Sequence, residues 1–214
     1  MNTTRLEAFS DGVFAIAITL LVLEIKVPPP DTVLGAELLR LWPSYLAYVV
    51  SFLVIGAIWI NHHAMFYHIV RVDGTLLLLN ILSLMLIAFL PFPTAVLAEA
   101  FHRGIDESIA AAFYGGILTV LGVFVNVMWR YTARGGQLLN PHTPATKIQK
   151  INQQFLIGPI VYAIATLIAL VLPWLAVLLF ILLNVFYLWP RWGHKAVPSP
   201  IDDPTVSRDR SKND

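Results

Sequence analysis

The side chains that could do chemistry in this sequence are few, and they fall into three short stretches. One stretch is RLEAFSDG near the N-terminus, one is WINHHAMF, and one is the apolar run LLLLNILSL. The polar and aromatic candidates in them are Ser10, Asp11, Trp59, His62, His63 and Asn80. A carboxylate beside imidazoles could relay protons, ligate a metal ion, or form a charge-assisted hydrogen-bonded cluster that holds helices together.

Metal ligation is the weakest of these three possibilities. His62 and His63 are adjacent, so on a helix their side chains point about 100° apart and do not easily chelate one ion. The chain has no cysteine and no HxxxH or HExxH spacing, which excludes disulfides, thiolate sites and the common zinc arrangement on a helix. We therefore expect a structural polar cluster, with no metal and no cofactor.

The rest of the chain is markedly apolar. Of its 214 residues, 57% are hydrophobic and 13% are charged, and the mean hydropathy is +0.73. This composition lies outside the range of soluble domains and indicates an integral membrane protein. The formal net charge of +1 gives no bulk attraction for nucleic acid.

Segments of about 20 apolar residues predict an all-α, polytopic membrane protein with six transmembrane helices. The last two form one apolar run, which Pro173 is expected to split into a hairpin. Pro91 and Pro93 are expected to end the third span. The predicted spans are Leu6 to Val27, Trp42 to Phe66, Thr75 to Leu97, Ser108 to Trp129, Gln154 to Leu172 and Trp174 to Trp189.

Charge placement predicts the orientation of these spans. Eleven of the 14 Lys and Arg residues fall on the side of the N-terminus, which the positive-inside rule assigns to the cytoplasm. Trp189 and Trp192 are expected at a membrane interface. We expect residues 1–192 to form one six-helix transmembrane domain and residues 193–214 to form a polar, disordered cytoplasmic tail.

The first predicted helix separates apolar from polar residues. At about 100° per residue, one stripe collects the residues Phe9, Gly12, Ile16, Leu20, Leu23 and Val27. Ser10 and Asp11 lie roughly 120° to 140° from Ile16. An intramembrane carboxylate normally faces protein or water, so the apolar stripe faces lipid or a symmetry axis, and the pattern alone does not choose between them.

Depth along the predicted spans suggests partners for the polar pair. Asp11 lies about six residues from the start of its helix, His63 lies a similar distance from the end of the next, and Asn80 stands early in the third. Trp59 shares a helix face with His63. The FYGG stretch at Phe113 to Gly116 lacks the TVGYG run of a carbonyl filter and is interpreted as a pair of helix-packing glycines.

The stretch RLEAFSD matches an RxxxFSD pattern at Arg5, Phe9, Ser10 and Asp11, and it resembles the start of the transmembrane protein 175 family. That family comprises lysosomal potassium channels with two six-span repeats in animals and bacterial homologues with one repeat. The chain resembles a bacterial member over nearly its whole length except the tail. The resemblance implies a homotetramer in the bacterial inner membrane, with both termini in the cytoplasm.

The resemblance also implies a set of site residues. The first helix would line the pore, with Ile16 as the narrowest layer, Leu20 and Leu23 as further layers and Thr19 beside them. The motif residues Arg5, Phe9, Ser10 and Asp11 would hold this helix against the next two. Their expected partners in this structural network are Trp59, His63 and Asn80.

The expected function is a leak-type cation channel that passes potassium and other monovalent cations. An aliphatic constriction would replace the carbonyl filter, so the preference for potassium over sodium should be modest, and proton permeation stays open. Glu24 either attracts cations to the outer mouth or pairs with Lys26. The alternative function is a proton-coupled secondary transporter, although the two halves of the chain show no convincing internal repeat. An enzyme is not expected, since no nucleophile and base stand at a recognisable spacing.

Overall fold

A computed structural model describes residues 3–134, 138–141 and 143–188 of the chain. The secondary structure of these residues is helical apart from one isolated β-bridge. Trp189, Trp192 and the predicted tail 193–214 lie outside the described residues. The helices are α1 (Thr3–Leu20), a 3₁₀ segment (Leu21–Glu24), α2 (Leu34–Arg40), α3 (Trp42–Phe66), α4 (Gly74–Phe89), α5 (Pro91–Arg103), α6 (Glu107–Ala133), α7 (Ala145–Ala169) and α8 (Pro173–Leu188).

The predicted all-α membrane architecture is confirmed. Within the described residues, five helical segments are long and apolar enough to cross a membrane: α1 with its 3₁₀ extension, α3, α4 with α5, α6, and α7. The sixth predicted span corresponds to α8, which is shorter at 16 residues. The predicted split at Pro173 is also confirmed, because α7 ends at Ala169 and this proline opens α8.

The prediction for Pro91 and Pro93 is partly wrong. Helix α4 does end at Phe89, because Pro91 has no N–H to donate to the preceding turn. The helical segment does not end there, since both prolines lie in the first turn of α5, where their missing N–H groups are not needed. The carbonyl of Leu90 accepts both the hydroxyl of Thr94 at 2.8 Å and the backbone N–H of Thr94 at 3.1 Å.

A buried group of hydroxyls joins α3, α5 and α6 near this break. The Ser51 Oγ lies 2.8 Å from the Thr94 Oγ1 and 2.9 Å from the Tyr114 hydroxyl. All three side chains are buried. Because polar groups inside a membrane protein have no bulk water to bond, these mutual hydrogen bonds fix how the three helices meet.

Backbone hydrogen bonds, which we call the clip, join the loop between α3 and α4 to the segment that follows α6. The backbone N–H of Val70 donates to the carbonyl of Leu138 at 2.8 Å, and the N–H of Asn140 donates to the carbonyl of His68 at 2.9 Å. His68 is buried, and burial, together with the positive charge of Lys147, holds the pKa of its imidazole below the ordinary value. The clip therefore ties two neighbouring loops at the end of the bundle where α1 begins.

The two glycines of FYGG have different surroundings. A methyl group on Gly115 would stand 2.5 Å from the Thr166 Oγ1 and 2.6 Å from the Phe180 Cζ. A methyl group on Gly116 would have nothing within 4 Å. Gly115 therefore permits α6 to approach α7 and α8, whereas Gly116 is not required for packing within the chain.

These neighbouring glycines give a matched test of packing. We expect Gly115→Ala to lower the thermal unfolding temperature of the purified protein, because the added methyl group overlaps buried side chains. Gly116→Ala should leave it unchanged or raise it, since alanine favours helix by about 1 kcal/mol over glycine. Equal melting temperatures of the two variants in the same detergent would contradict this account of α6 packing.

The start of α4 is capped by Asp73. Its Oδ1 accepts the backbone N–H of Leu76 at 2.8 Å, and its Oδ2 accepts the hydroxyl of Tyr131 at 2.6 Å. The Tyr131 hydroxyl first, and the Leu76 N–H second, hold the pKa of the Asp73 carboxyl below its ordinary value. The cap thus links α4 to the end of α6 and is stronger when the carboxyl is ionised.

The sign of the pH dependence follows from the lowered pKa of Asp73. The stabilisation is present above the pKa of the unfolded chain, about 4, and is lost as the pH falls through the lower folded value. We expect Asp73→Asn, which keeps a capping oxygen but loses the charge, to melt below the wild type at pH 7. The difference should shrink below about pH 4. Tyr131→Phe should show the same trend with a smaller amplitude, and a pH-independent difference would contradict the assignment.

Candidate functional site

Helix α1 is held by one face only. Its buried residues, spaced three or four apart, face α3 and α4, which are the helices it contacts. They are Leu6, Ser10, Phe14, Ala17 and, in the 3₁₀ segment, Leu21. The rest of the helix surface is half-buried or exposed, so α1 lies at the edge of the helix bundle.

The exposed side of α1 carries the aliphatic row predicted from the sequence. Ile16 is 61% exposed, Leu20 is 40% exposed and Leu23 is 71% exposed. Leu23 belongs to the 3₁₀ segment, in which side chains three apart eclipse one another, so it lies over Leu20. Phe9 and Gly12 continue the row toward the N-terminus and are also exposed. We call Ile16, Leu20 and Leu23 the aliphatic row.

Thr19 lies beside the aliphatic row. Its side chain is exposed, and its hydroxyl donates to the carbonyl of Ile16 at 2.9 Å. This bond directs the hydroxyl proton back to the helix backbone. An oxygen lone pair of Thr19 is then the main polar feature that the neighbourhood of the row offers to an approaching cation.

A continuous hydrogen-bonded chain, which we call the polar anchor, joins the buried face of α1 to α3 and α4. The Asn80 Nδ2 donates to the Ser10 Oγ at 3.0 Å, and the Ser10 Oγ donates to the carbonyl of Leu6 at 2.8 Å. The Asn80 Oδ1 lies 2.9 Å from the His62 Nε2, which must donate because an amide oxygen only accepts. Ser10, Asn80 and His62 are all buried.

In the polar anchor, His62 is the histidine that bonds Asn80, whereas the sequence analysis predicted His63 for this role. Its ring packs between Phe14, at a centroid distance of 5.4 Å, and Phe66, at 4.4 Å. His63 is exposed and stacks on Trp59 at a centroid distance of 6.2 Å. Adjacent residues point about 100° apart on a helix, so only one of the two histidines can reach the interface with α1 and α4.

Asp11 has a separate partner. The Trp59 Nε1 donates to the Asp11 Oδ1 at 2.8 Å, and both side chains are exposed on the flank of the α1–α3 pair. The structure therefore brings Asp11, Trp59 and His63 together beside the polar anchor. Arg5 and Phe9, the other two motif residues, are exposed and take no part in either group.

Glu24 ends the 3₁₀ segment at the far end of α1. One of the two roles expected for Glu24 was pairing with Lys26. The Lys26 Nζ instead lies 3.8 Å from the Glu99 carboxylate. Among the described residues no salt bridge to Glu24 is found. In the same part of the chain, no three His, Cys, Asp or Glu side chains stand close enough to hold a metal ion.

The site is thus a helix with two unlike faces. One face is anchored by hydrogen bonds that use up every polar group on it, and the other presents aliphatic side chains with no hydrogen-bonding group of their own. The side chains of the aliphatic row themselves offer no polar contact to a ligand. This surface can pack against lipid, or against copies of itself around an axis.

Comparison with known proteins identifies the family. Residues 5–91 match the family model described as endosomal/lysosomal potassium channel TMEM175. A potassium channel of Streptomyces collinus is 42% identical over 202 residues, which span 92% of this chain and 94% of that protein. The human endosomal/lysosomal proton channel TMEM175 is 34% identical over 139 residues, or 60% of this chain and 28% of that protein.

The fold agrees with a solved structure. The crystal structure of a lysosomal potassium-selective channel TMEM175 homologue from Chamaesiphon minutus superposes with a TM-score of 0.78 at 41% identity, covering 86% of this chain and 95% of that one. The fold, the RxxxFSD motif and the sequence similarity over nearly the whole chain all indicate the same family. This multi-pass membrane protein therefore belongs to the TMEM175 family of channels.

Proposed function

We propose that this chain is one subunit of a homotetrameric potassium-permeable channel in which α1 lines the pore and the aliphatic row forms the constriction. The observation that carries the proposal is the exposure of Ile16, Leu20 and Leu23 on a helix at the edge of the subunit. One copy of α1 cannot enclose a pathway, so several copies must meet around an axis. The names of the bacterial relatives, which are potassium channels, support potassium as the main ion.

The surface beside the row suits close assembly. Ala8, Gly12 and Ala15 are exposed and small, and small residues let helices approach each other in a membrane. Neighbouring copies can then bring their aliphatic rows close to the axis. A narrow ring of isoleucine and leucine side chains excludes water unless it widens, so it can gate by dewetting.

Selectivity at such a ring rests on dehydration. No carbonyl or carboxylate of the row replaces the water that an ion loses, so the ion with the weaker hydration shell passes more easily. Potassium holds its water less tightly than sodium, which gives a modest preference for potassium. Proton permeation is a second candidate, favoured by the animal relatives that are named proton channels.

The orientation and location form part of the same proposal. Among the described residues, six of nine Lys and Arg side chains lie at the end of the bundle where α1 begins. The positive-inside rule then places the N-terminus, and with six spans the C-terminus, in the cytoplasm. The likeness to the Streptomyces and Chamaesiphon channels supports a bacterial inner membrane.

A proton-coupled transporter has less support. Broken helices often mark a transporter's binding site, and the α4–α5 break is such a feature. The side chains that bond at this break are the hydroxyls of Ser51, Thr94 and Tyr114, which are buried and bonded to each other. They include no carboxylate or imidazole that could carry a proton.

The pore assignment is tested by a polar substitution in the row. Ile16→Asn should raise the potassium conductance of reconstituted channels severalfold and reduce discrimination against sodium, because an amide wets the constriction. Ile164→Asn, at a position on α7 that is 52% exposed, is the matched control and should change neither. Planar-bilayer recordings in which Ile16→Asn behaves as the wild type would refute a pore lined by this row.

The role of the Asp11 pair is tested separately. Asp11→Ala removes the acceptor of the Trp59 N–H, so it should lower the melting temperature or the tetramer yield, by an amount equivalent to about 1–2 kcal/mol. Trp59→Phe keeps an aromatic ring against His63 but removes the donor, and should give a similar loss. Channels that still assemble should keep the wild-type selectivity. Altered selectivity with unchanged stability would instead place Asp11 in the ion path.

A further inference from the structure

The charged side chains differ between the two ends of the bundle. At the end that carries α2, each of the three described cations is close to an acid. Arg40 lies 3.1 Å from Glu37, Lys26 lies 3.8 Å from Glu99, and Arg103 also bonds Glu99. Two carboxylates thus partner these three cations, so each cation has a nearby negative charge within the chain.

At the opposite end the cations have no such partners. Five exposed side chains there, which we call the basic rim, form no salt bridge with any described residue. They are Arg71, Arg130, Arg134, Lys147 and Lys150. Two of the acids at this end are already bonded elsewhere, since Asp11 accepts from Trp59 and Asp73 caps α4.

Four members of the basic rim lie at similar levels along the bundle because α6 and α7 run antiparallel. Gly122 on α6 packs against Pro159 on α7, where an added methyl group would be 3.3 Å from the Pro159 Cα. Counting the same number of residues from that contact along both helices places Arg134 level with Lys147. Arg130 and Lys150 lie about one turn, roughly 5 Å, closer to that contact.

The clip adds the remaining member of the rim. The backbone N–H of Arg71 donates to the carbonyl of Leu138 at 3.3 Å, just after the end of α6. Lys147 is near enough to His68 for its charge to act on the imidazole. Several positive charges thus lie within a turn or two of one another along the bundle axis, and a nearby anion would reduce the repulsion among them.

An apolar strip runs from the basic rim along the same face of α6. Val120, Val123 and Val127 are each 43–46% exposed, and they precede Arg130 and Arg134 at spacings of three and four residues. Cations at a helix end above a strip of exposed aliphatic side chains match a phospholipid, whose phosphate lies above its acyl chains. An acidic protein or a nucleic acid would match the cations but not the valine strip.

We propose that the basic rim binds the phosphate of an anionic phospholipid whose acyl chains lie along the valine strip of α6. The site lies on α6, α7 and the clip, away from α1, and it does not depend on which helix lines the pore. Its partner is the lipid of the leaflet that meets this end of the bundle. The bound phosphate offsets the repulsion within the rim and ties the clip to the ends of α6 and α7.

The test uses the full-length protein in nanodiscs with equal amounts of phosphatidylglycerol and phosphatidylcholine. Native mass spectrometry should show phosphatidylglycerol retained about fivefold or more over phosphatidylcholine. Arg134→Gln combined with Lys147→Gln should reduce this ratio toward one. The matched control, Lys26→Gln with Arg103→Gln, also removes two cations but takes them from paired positions, and should keep the wild-type ratio.

Two further measurements keep the proposal testable if the glutamine variant does not fold. Arg134→Lys with Lys147→Arg keeps both charges and should keep the ratio. For the wild type, raising the salt from about 0.1 M to 1 M shortens the screening length from about 10 Å to 3 Å and should lower the ratio. The proposal is overturned by equal retention of both lipids, by salt-independent enrichment, by an equal loss in the control variant, or by displacement of the lipid with inorganic phosphate alone.

Discussion

A serine buried between membrane helices has to find hydrogen-bond partners within the protein, because neither lipid nor aliphatic side chains can supply them. Ser10 finds the Asn80 amide and, one turn back on its own helix, the Leu6 carbonyl. Asn80 in turn satisfies the His62 imidazole. This short chain fixes the depth of α1 and its rotation about its own axis. Neither could change without leaving at least one buried polar group unpaired.

The rotation of α1 determines which side chains lie on the exposed side of this helix. With Ser10 facing inward, Ile16 lies about 120° away and faces outward, and Leu20, about 80° away, lies on the flank and is less exposed than Ile16. A rotation of one residue, about 100°, would bring the Asp11 carboxylate into the buried interface and remove it from Trp59. The exposed aliphatic row and the buried polar anchor are therefore two consequences of one constraint. The aliphatic row is visible in the sequence as a regular spacing of apolar residues. The polar anchor is not, because its residues come from three helices.

This distinction explains how far the sequence could be interpreted. The ends of α3 and the hairpin at Pro173 were predictable because hydropathy and proline act locally. The choice of His62 over His63 was not, because it depends on the angle at which α3 meets α1 and α4. The aromatic residues Phe14 and Phe66, which enclose the His62 ring, were a signal that could have been used. The hydrogen bonds beside the break at Pro91 come from Ser51 and Tyr114, which are distant in the sequence. The pairing of Lys26 with Glu99 likewise depends on how α5 packs beside the end of α1.

The intact backbone of α1 also limits what chemistry the aliphatic row can do. A helix uses its carbonyls in its own hydrogen bonds, and the Ile16 carbonyl accepts the Thr19 hydroxyl as well. The Ile16 carbonyl is therefore not free to point at an axis, as a carbonyl would be in a filter built from extended backbone. In the proposed pore, an ion at this level meets methyl groups and whatever water accompanies it. Discrimination then has to come from the diameter of the ring and the ease of dehydration, both of which are set by side-chain volume. The 3₁₀ turn at Leu21–Glu24 keeps Leu23 over Leu20 and so extends the same apolar surface outward instead of introducing a polar one.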